Sequence, residues 1–231
     1  MTVESVRTPP PSSGTPGARA DALARFLPVA GTVYVLAWVL GLLTGPSAPA
    51  PTAPAVEIRT FYVDNTGGVV LQSLLVHGLA GLALMALALG FARALPNWPL
   101  EARWIQVTGL AAAFVSFMQV ALALVAVAVA DTTAASTSRA LFSAVNYADT
   151  LKLILLASFA ITVTWAATRA GVMPGWLRAL GYLLVPLLIV GGLAFVIDSV
   201  ALYLVLEISL VVLLFWAAAA SWVVGHHRST S

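Results

Sequence analysis

Residues 199–224 read SVALYLVLEISLVVLLFWAAAASWVV, twenty-six positions that carry a single charge, Glu207. A bilayer hydrocarbon core of about 30 Å takes about 20 apolar residues in helical form. In lipid a helix satisfies its own backbone hydrogen bonds, so a run of this kind crosses as a helix. Working back along the chain, five more such runs appear near Phe26–Thr44, Val69–Arg93, Trp104–Ala130, Asp149–Thr168 and Trp176–Ile197, with Ser199–Val224 as the sixth. The fold class that follows is all-α: a polytopic membrane helix bundle of six transmembrane helices over residues 26–225. An N-terminal tail, 1–25, is rich in Pro, Ser, Gly and Thr and reads as disordered. A short tail, 226–231, closes the chain.

Composition agrees. Charged residues make up 9% of the 231 and apolar ones 61%, against about 25% charged in an ordinary soluble domain. Six spans and their connections leave no room for an added soluble domain. With no cysteine there are no disulfides and no thiolate metal sites. The net charge of +2 needs no nucleic-acid partner, because the basic residues mark topology.

With the N-terminus in the cytoplasm, Arg7, Arg19, Arg25, Arg93, Arg103, Arg169, Arg178 and Arg228 fall inside, leaving Arg59, Arg139 and Lys152 outside. The positive-inside rule therefore gives N-in and C-in, in the cell inner (cytoplasmic) membrane. Glu57, Asp64, Asp131, Asp149 and Asp198 all fall on the outer side. Ala48-Pro49-Ala50 resembles a cleavage site, but the first apolar run is longer than the 7–15 residues of a signal-peptide core and reads as an uncleaved span.

The longer connections, 45–68 and 131–148, are the outer ones; the inner turns, Leu95–Pro99 and Ala170–Gly175, are tight. Within the first outer loop, the segment from Val56 to Tyr62 reads either as an interfacial stretch with Phe61 and Tyr62 at headgroup level or as a lid over a cavity. Asn65 or Thr66 is expected to cap the second span, and Asn146-Tyr147-Ala148-Asp149 to open the fourth. No internal repeat or pair of Gly/Pro-broken spans of the transporter kind is evident.

An ionisable group inside a span costs about 2.5–3.5 kcal/mol on insertion scales and usually faces the bundle interior. Glu207 lies about eight residues into its span, or ~12 Å at 1.5 Å per residue. His77 lies about as deep in the second span and Gln119 slightly deeper in the third, so side-by-side packing would let Glu207 meet His77. Periodicity groups Thr108, Ala112, Ser116, Gln119 and Ala123 on one stripe, and Ser73, His77 and Gly81 on another. Tyr203 shares a stripe with Glu207, and Asp198 stands at the rim. Asp149 and Lys152, three apart, read as a salt bridge at the surface. Trp98, Trp104, Trp176 and Trp222 near helix ends read as an interfacial belt.

The stretch Ala170–Leu184, with its Gly171-x-x-Pro174 turn and Leu180-Gly181-Tyr182-Leu183-Leu184, followed by Gly191–Ser199 ending in Ile197-Asp198-Ser199, resembles a domain-of-unknown-function family of small bacterial six-helix integral membrane proteins. Asp198 and Glu207 match that family's two acidic positions. The resemblance is best over 165–225 and implies six helices but no activity. A weaker resemblance, in kind and without a diagnostic motif, is to actinobacterial membrane-bound terpene cyclases, which use a buried carboxylic acid to protonate an alkene or epoxide. The Asp-Asp-x-x-Asp diphosphate motif is missing, which disfavours magnesium-assisted ionisation of a prenyl diphosphate.

The leading expectation is a membrane-embedded enzyme that cyclises a hydrophobic isoprenoid-like substrate by proton initiation. Glu207 would be the general acid, with Asp198, His77 and Tyr203 setting its protonation. It calls for no cofactor and no metal; its partners are the membrane and a hydrophobic small molecule or lipid, with a homo-oligomer left open. The alternatives are a non-catalytic membrane binding or partner module and a small proton-coupled transporter.

Overall fold

The computed structural model describes residues 26–95 and 99–230, and every regular element among them is helical. The expected tail 1–25, with Arg7, Arg19 and Arg25, and the Pro96-Asn97-Trp98 turn lie outside the described residues. Seven helices follow in order: α1 (Leu27–Thr44), α2 (Ala55–Asp64), α3 (Thr66–Ala94), α4 (Pro99–Val129), α5 (Ala135–Arg169), α6 (Gly175–Gly192, then a 3-10 turn Leu193–Phe195) and α7 (Val200–Thr230). All but α2 are long and apolar enough to cross a membrane, which makes this a multi-pass membrane protein.

The six long helices close a ring. Neighbours in it run α1, α3, α4, α5, α6, α7 and back to α1, while α2 lies against α5. Lipid tails are as apolar as leucine, so close packing rather than hydrophobic force draws such helices together. The expected stripe on α4 serves this end: Thr108, Ala112, Ser116, Gln119 and Ala123 are all buried. Across from it, the Gly81 position of α3 lies against Ser116 and Phe117. An edge-to-face chain of Phe91, Phe159 and Trp216, at 6.0 and 6.4 Å, ties α3, α5 and α7 together through the centre.

The turn from α5 to α6 follows from its sequence. Gly171 takes φ +72°, where an L side chain is strained, and two bonds close the helix end, Val172 N–H to Ala167 C=O and Gly171 N–H to Thr168 C=O. Pro174 then leads into α6. Trp104, Trp176 and Trp222 are half-exposed, as a belt at the bundle's periphery requires.

Several boundaries differ from expectation. Most of the 131–148 connection is helix, because α5 begins at Ala135, so Asn146–Asp149 lies well inside α5 rather than at its start. Ala, Leu, Phe and Ser in that stretch permit a helix that a hydropathy reading starts too late. Residues 226–230 prolong α7 instead of forming a tail. Nor do Asn65 and Thr66 cap α3: Asn65 Nδ2 donates to Phe61 C=O and Thr66 Oγ1 to Tyr62 C=O, so both close the end of α2. The break between α2 and α3 is a single residue, so these side chains still reach the carbonyls four back.

The Val56–Tyr62 segment lies wholly within α2, whose Phe61 and Tyr62 border a cavity. Its Ile58 and Tyr62 are buried, and Tyr62 stacks edge-on to Phe142 of α5 at 6.4 Å. Burial pushes the Tyr62 phenol up to about 12, so it stays neutral at physiological pH. Two arginines pin the helix. Arg59 donates to Ala130 C=O (2.7 Å) and Asp131 C=O (2.9 Å) beyond the end of α4, where free carbonyls favour a cation. Arg139 donates to Ala53 C=O. Replacing either Arg59 or Arg139 by Ala is expected to speed amide exchange in Ile58–Asp64 about tenfold or more, since a charged hydrogen bond contributes about 1.5–3 kcal/mol. Exchange unchanged in both variants would mean that packing alone holds α2.

Candidate functional site

On α5 the residues Phe142, Val145, Asn146, Asp149 and Lys152 recur at three or four, which puts them on one face. That face looks into the ring. Lys152 is 2% exposed, and its ammonium has three donors to place. They go to Asp149 Oδ1 one turn back (2.6 Å), to Gln119 Oε1 of α4 (2.8 Å) and to His77 Nδ1 of α3 (3.1 Å). Gln119 in turn donates to Val145 C=O (3.3 Å), and the Trp38 ring of α1 lies 5.5 Å from the Lys152 nitrogen. Four helices thus meet at one cation.

This overturns the surface reading of the Asp149–Lys152 pair, which is internal because α5 starts a good three turns earlier than its apolar run. An ammonium accepts no hydrogen bond, so His77 Nδ1 accepts and Nε2 carries the imidazole hydrogen. His77 sits in a π-helical stretch of α3, Leu74–Leu79, a distortion common at functional sites.

Above the cluster, toward α2, lies a cavity of about 280 Å³. Its walls are mostly apolar: Trp38 and Leu42 of α1, Val69 and Val76 of α3, Phe142 of α5, and Leu206 and Leu210 of α7, under a roof of Phe61 and Tyr62. His77 and Asp149 line it; Lys152 stands behind them. A second hollow of about 330 Å³ shares Ala48, Phe142, Asn146 and Phe195 with the first and is bounded by Tyr203.

The residues expected from sequence divide. His77 is in the site, bonded to Lys152 instead of Glu207. Tyr203 faces the second hollow, and its hydroxyl is buried without a hydrogen-bond partner. Asp198 is exposed at the rim and accepts from Thr52 Oγ1 at 2.6 Å. Glu207 is exposed and does not meet His77: its neighbours by helix phase are Val200, Leu204, Val211 and Phe215, all outward. Leu206, Leu213, Trp216 and Ala217 take the inner face of α7. Lys152 is the residue that sequence reasoning undervalued. Its signal was available, as the chain's single lysine inside Leu151-Lys152-Leu153-Ile154-Leu155-Leu156.

Chemically, the cluster is a neutral ion pair that presents an imidazole N–H and a carboxylate to an apolar space. Among the described residues no three His, Cys, Asp or Glu side chains gather as a metal site would need. No protein-family model, curated protein or solved structure matches the chain.

Proposed function

We propose that this protein holds an uncharged, isoprenoid-like amphiphile in the cavity beneath α2, with the apolar part against the walls and a hydroxyl or carbonyl end against His77 and Asp149. One observation carries the reading: the cavity is mostly apolar, with Gln72, Ser73 and Asn146 among its lining, and the charge it meets is a buried, balanced cluster that it reaches through His77 and Asp149. Ligand sites are commonly built this way, with a few polar groups fixing orientation in an apolar space. A hydroxyl would donate to the carboxylate and accept from His77 Nε2–H. A phosphate would meet Asp149 with no free cation, since all three donors of Lys152 are placed. The membrane assigned is the cell inner membrane with both termini cytoplasmic, supported by Arg93, Arg103, Arg169 and Arg178 at the end opposite α2.

The catalytic reading stands second, favoured because His77 and Asp149 both line the cavity, where general acid–base groups would touch an occupant. An ion-paired carboxylate takes a proton more readily than it gives one, so proton removal or isomerisation suits it better than alkene protonation. On either reading Glu207 is a bystander to the cavity.

The test uses protein in lipid nanodiscs with a long-chain isoprenoid alcohol and the corresponding phosphate ester. The alcohol should raise the unfolding midpoint; saturating at about 100 times Kd adds about 2.7 kcal/mol. Asp149→Asn and the cavity-filling Ala123→Phe should abolish that shift, and Glu207→Gln should retain it. Equal stabilisation by the phosphate, or a full shift in Ala123→Phe, overturns the proposal. An isomeric product seen by mass spectrometry with the native protein, and absent with Asp149→Asn, would make it an enzyme.

A further inference from the structure

The second hollow, of about 330 Å³, carries polar groups that the floor cluster does not use. One wall is the stretch Ala48–Pro51 between α1 and α2; the others include Phe142 and Asn146 of α5, Phe195 after α6 and Tyr203 of α7. The Ala48–Pro51 wall is held in place. Just beyond it Thr52 Oγ1 donates to Asp198 Oδ2 at 2.6 Å and Arg139 donates to Ala53 C=O, while Pro49 and Pro51 restrict its backbone. Among the described residues no charged side chain lines this hollow. Two polar groups on its border have nothing to bond. The Tyr203 hydroxyl is buried without a partner, an uncommon state for a polar atom inside a native fold. Asn146 accepts from Thr150 at its backbone carbonyl (3.2 Å), while its side-chain amide, two donors and an acceptor, bonds to none of the described residues.

Ala48, Phe142, Asn146 and Phe195 line both hollows, so the two adjoin across these residues. Each alone stands near the lower end of the range of ligand pockets, about 300–1,000 Å³, and together they fall inside it. We infer that the two hollows form a single site whose occupant carries a second uncharged oxygen, a hydroxyl or carbonyl, held in the second hollow by the Asn146 amide and the Tyr203 hydroxyl. The inference rests on the function proposed above and adds to it the number and placing of the ligand's polar groups. Both side chains can donate to a carbonyl, and the Asn146 Oδ1 can accept from a hydroxyl. Asn146 precedes Asp149 by one turn of α5, about 4.5 Å along the axis at 1.5 Å per residue. The two oxygens are therefore a few bonds apart and not at opposite ends of a long chain.

The test is the binding of geranylgeraniol, and of three diols made from it, to protein in nanodiscs at equal mole fraction in the bilayer. The diols carry their second hydroxyl near the first, midway and at the far end of the chain. The near or the midway diol should bind about tenfold more tightly than the alcohol, as one or two neutral hydrogen bonds give. In Asn146→Leu and in Tyr203→Phe, each close in size to the native side chain, that ratio should fall toward one. Taking the ratio within each variant, whose unliganded melting reports that it folds, separates the loss of an anchor from a general loss of binding. No gain for any diol, a gain confined to the far-end diol, or a gain kept in either variant overturns this inference and leaves the reading of the first cavity standing. Failure of the alcohol and of every diol to bind overturns both.

Discussion

Lys152→Met is expected to destabilise the fold by about 3–5 kcal/mol, the largest loss from any single polar substitution in the bundle. The size follows from what remains behind: the Asp149 carboxylate, His77 Nδ1 and Gln119 Oε1 all lose their donor in a region where Lys152 itself is 2% exposed. Removing both charges should be milder. Asp149→Leu with Lys152→Met should recover most of the stability, because replacing a buried pair by apolar residues is often neutral or stabilising. Thermal unfolding in nanodiscs measures these two variants and Asp149→Leu alone, and the cycle isolates the coupling. A loss below about 1 kcal/mol in Lys152→Met would place the pair in the class of solvated surface bridges. The cluster would then be open to water.

Gly181→Ala is the second large effect, about 1–3 kcal/mol from overpacking. A Cβ at Gly181 collides with Thr164 Oγ1, with Trp216 Nε1 at 2.9 Å and Thr164 Cγ2 at 3.0 Å. Three helices, α5, α6 and α7, close on that glycine. Two of the three positions on Thr164 Cβ face the new methyl, so turning its hydrogen toward Gly181 still leaves one γ atom close to it. Thr164 Oγ1 and Trp216 Nε1 are also buried without hydrogen-bond partners, so the contact is one of shape rather than of polar pairing. Thr164→Ala removes both γ atoms, and the double variant should regain most of the loss. If it does not, the Trp216 contact is the determining one, and Trp216→Phe should relieve it instead.

These two sites show how unevenly the molecule can be read from its sequence. The small-polar stripe of α4 was legible because an α-helix returns to the same face every three or four residues, and all five positions are buried. Phase alone does not say which face points inward when most residues are apolar. On α7, Leu206 and Glu207 are adjacent, about 100° apart, and both faces are greasy; only the packing against α1 and α6 turned Leu206 in and Glu207 out. For Asp149 and Lys152 the difficulty was an end, not a phase. Polar residues before Asp149 broke the hydropathy run, so a pair well inside a helix looked like a pair at its mouth.

What the sequence determined by itself is the class of structure. Long apolar runs in a chain with 9% charged residues have one stable form in lipid, the helix, and their number and approximate positions follow from bilayer thickness. The turn at Gly171 and Pro174 was likewise local, because backbone freedom and a missing N–H act within a few residues. The tertiary structure decided which charges meet. His77, Gln119, Asp149 and Lys152 come from three helices separated by up to 75 positions, and nothing in their spacing along the chain encodes that contact. Secondary structure is written in short-range periodicity; a site is made by the ring closure that brings distant faces together, and its energy depends on every helix being in place at once.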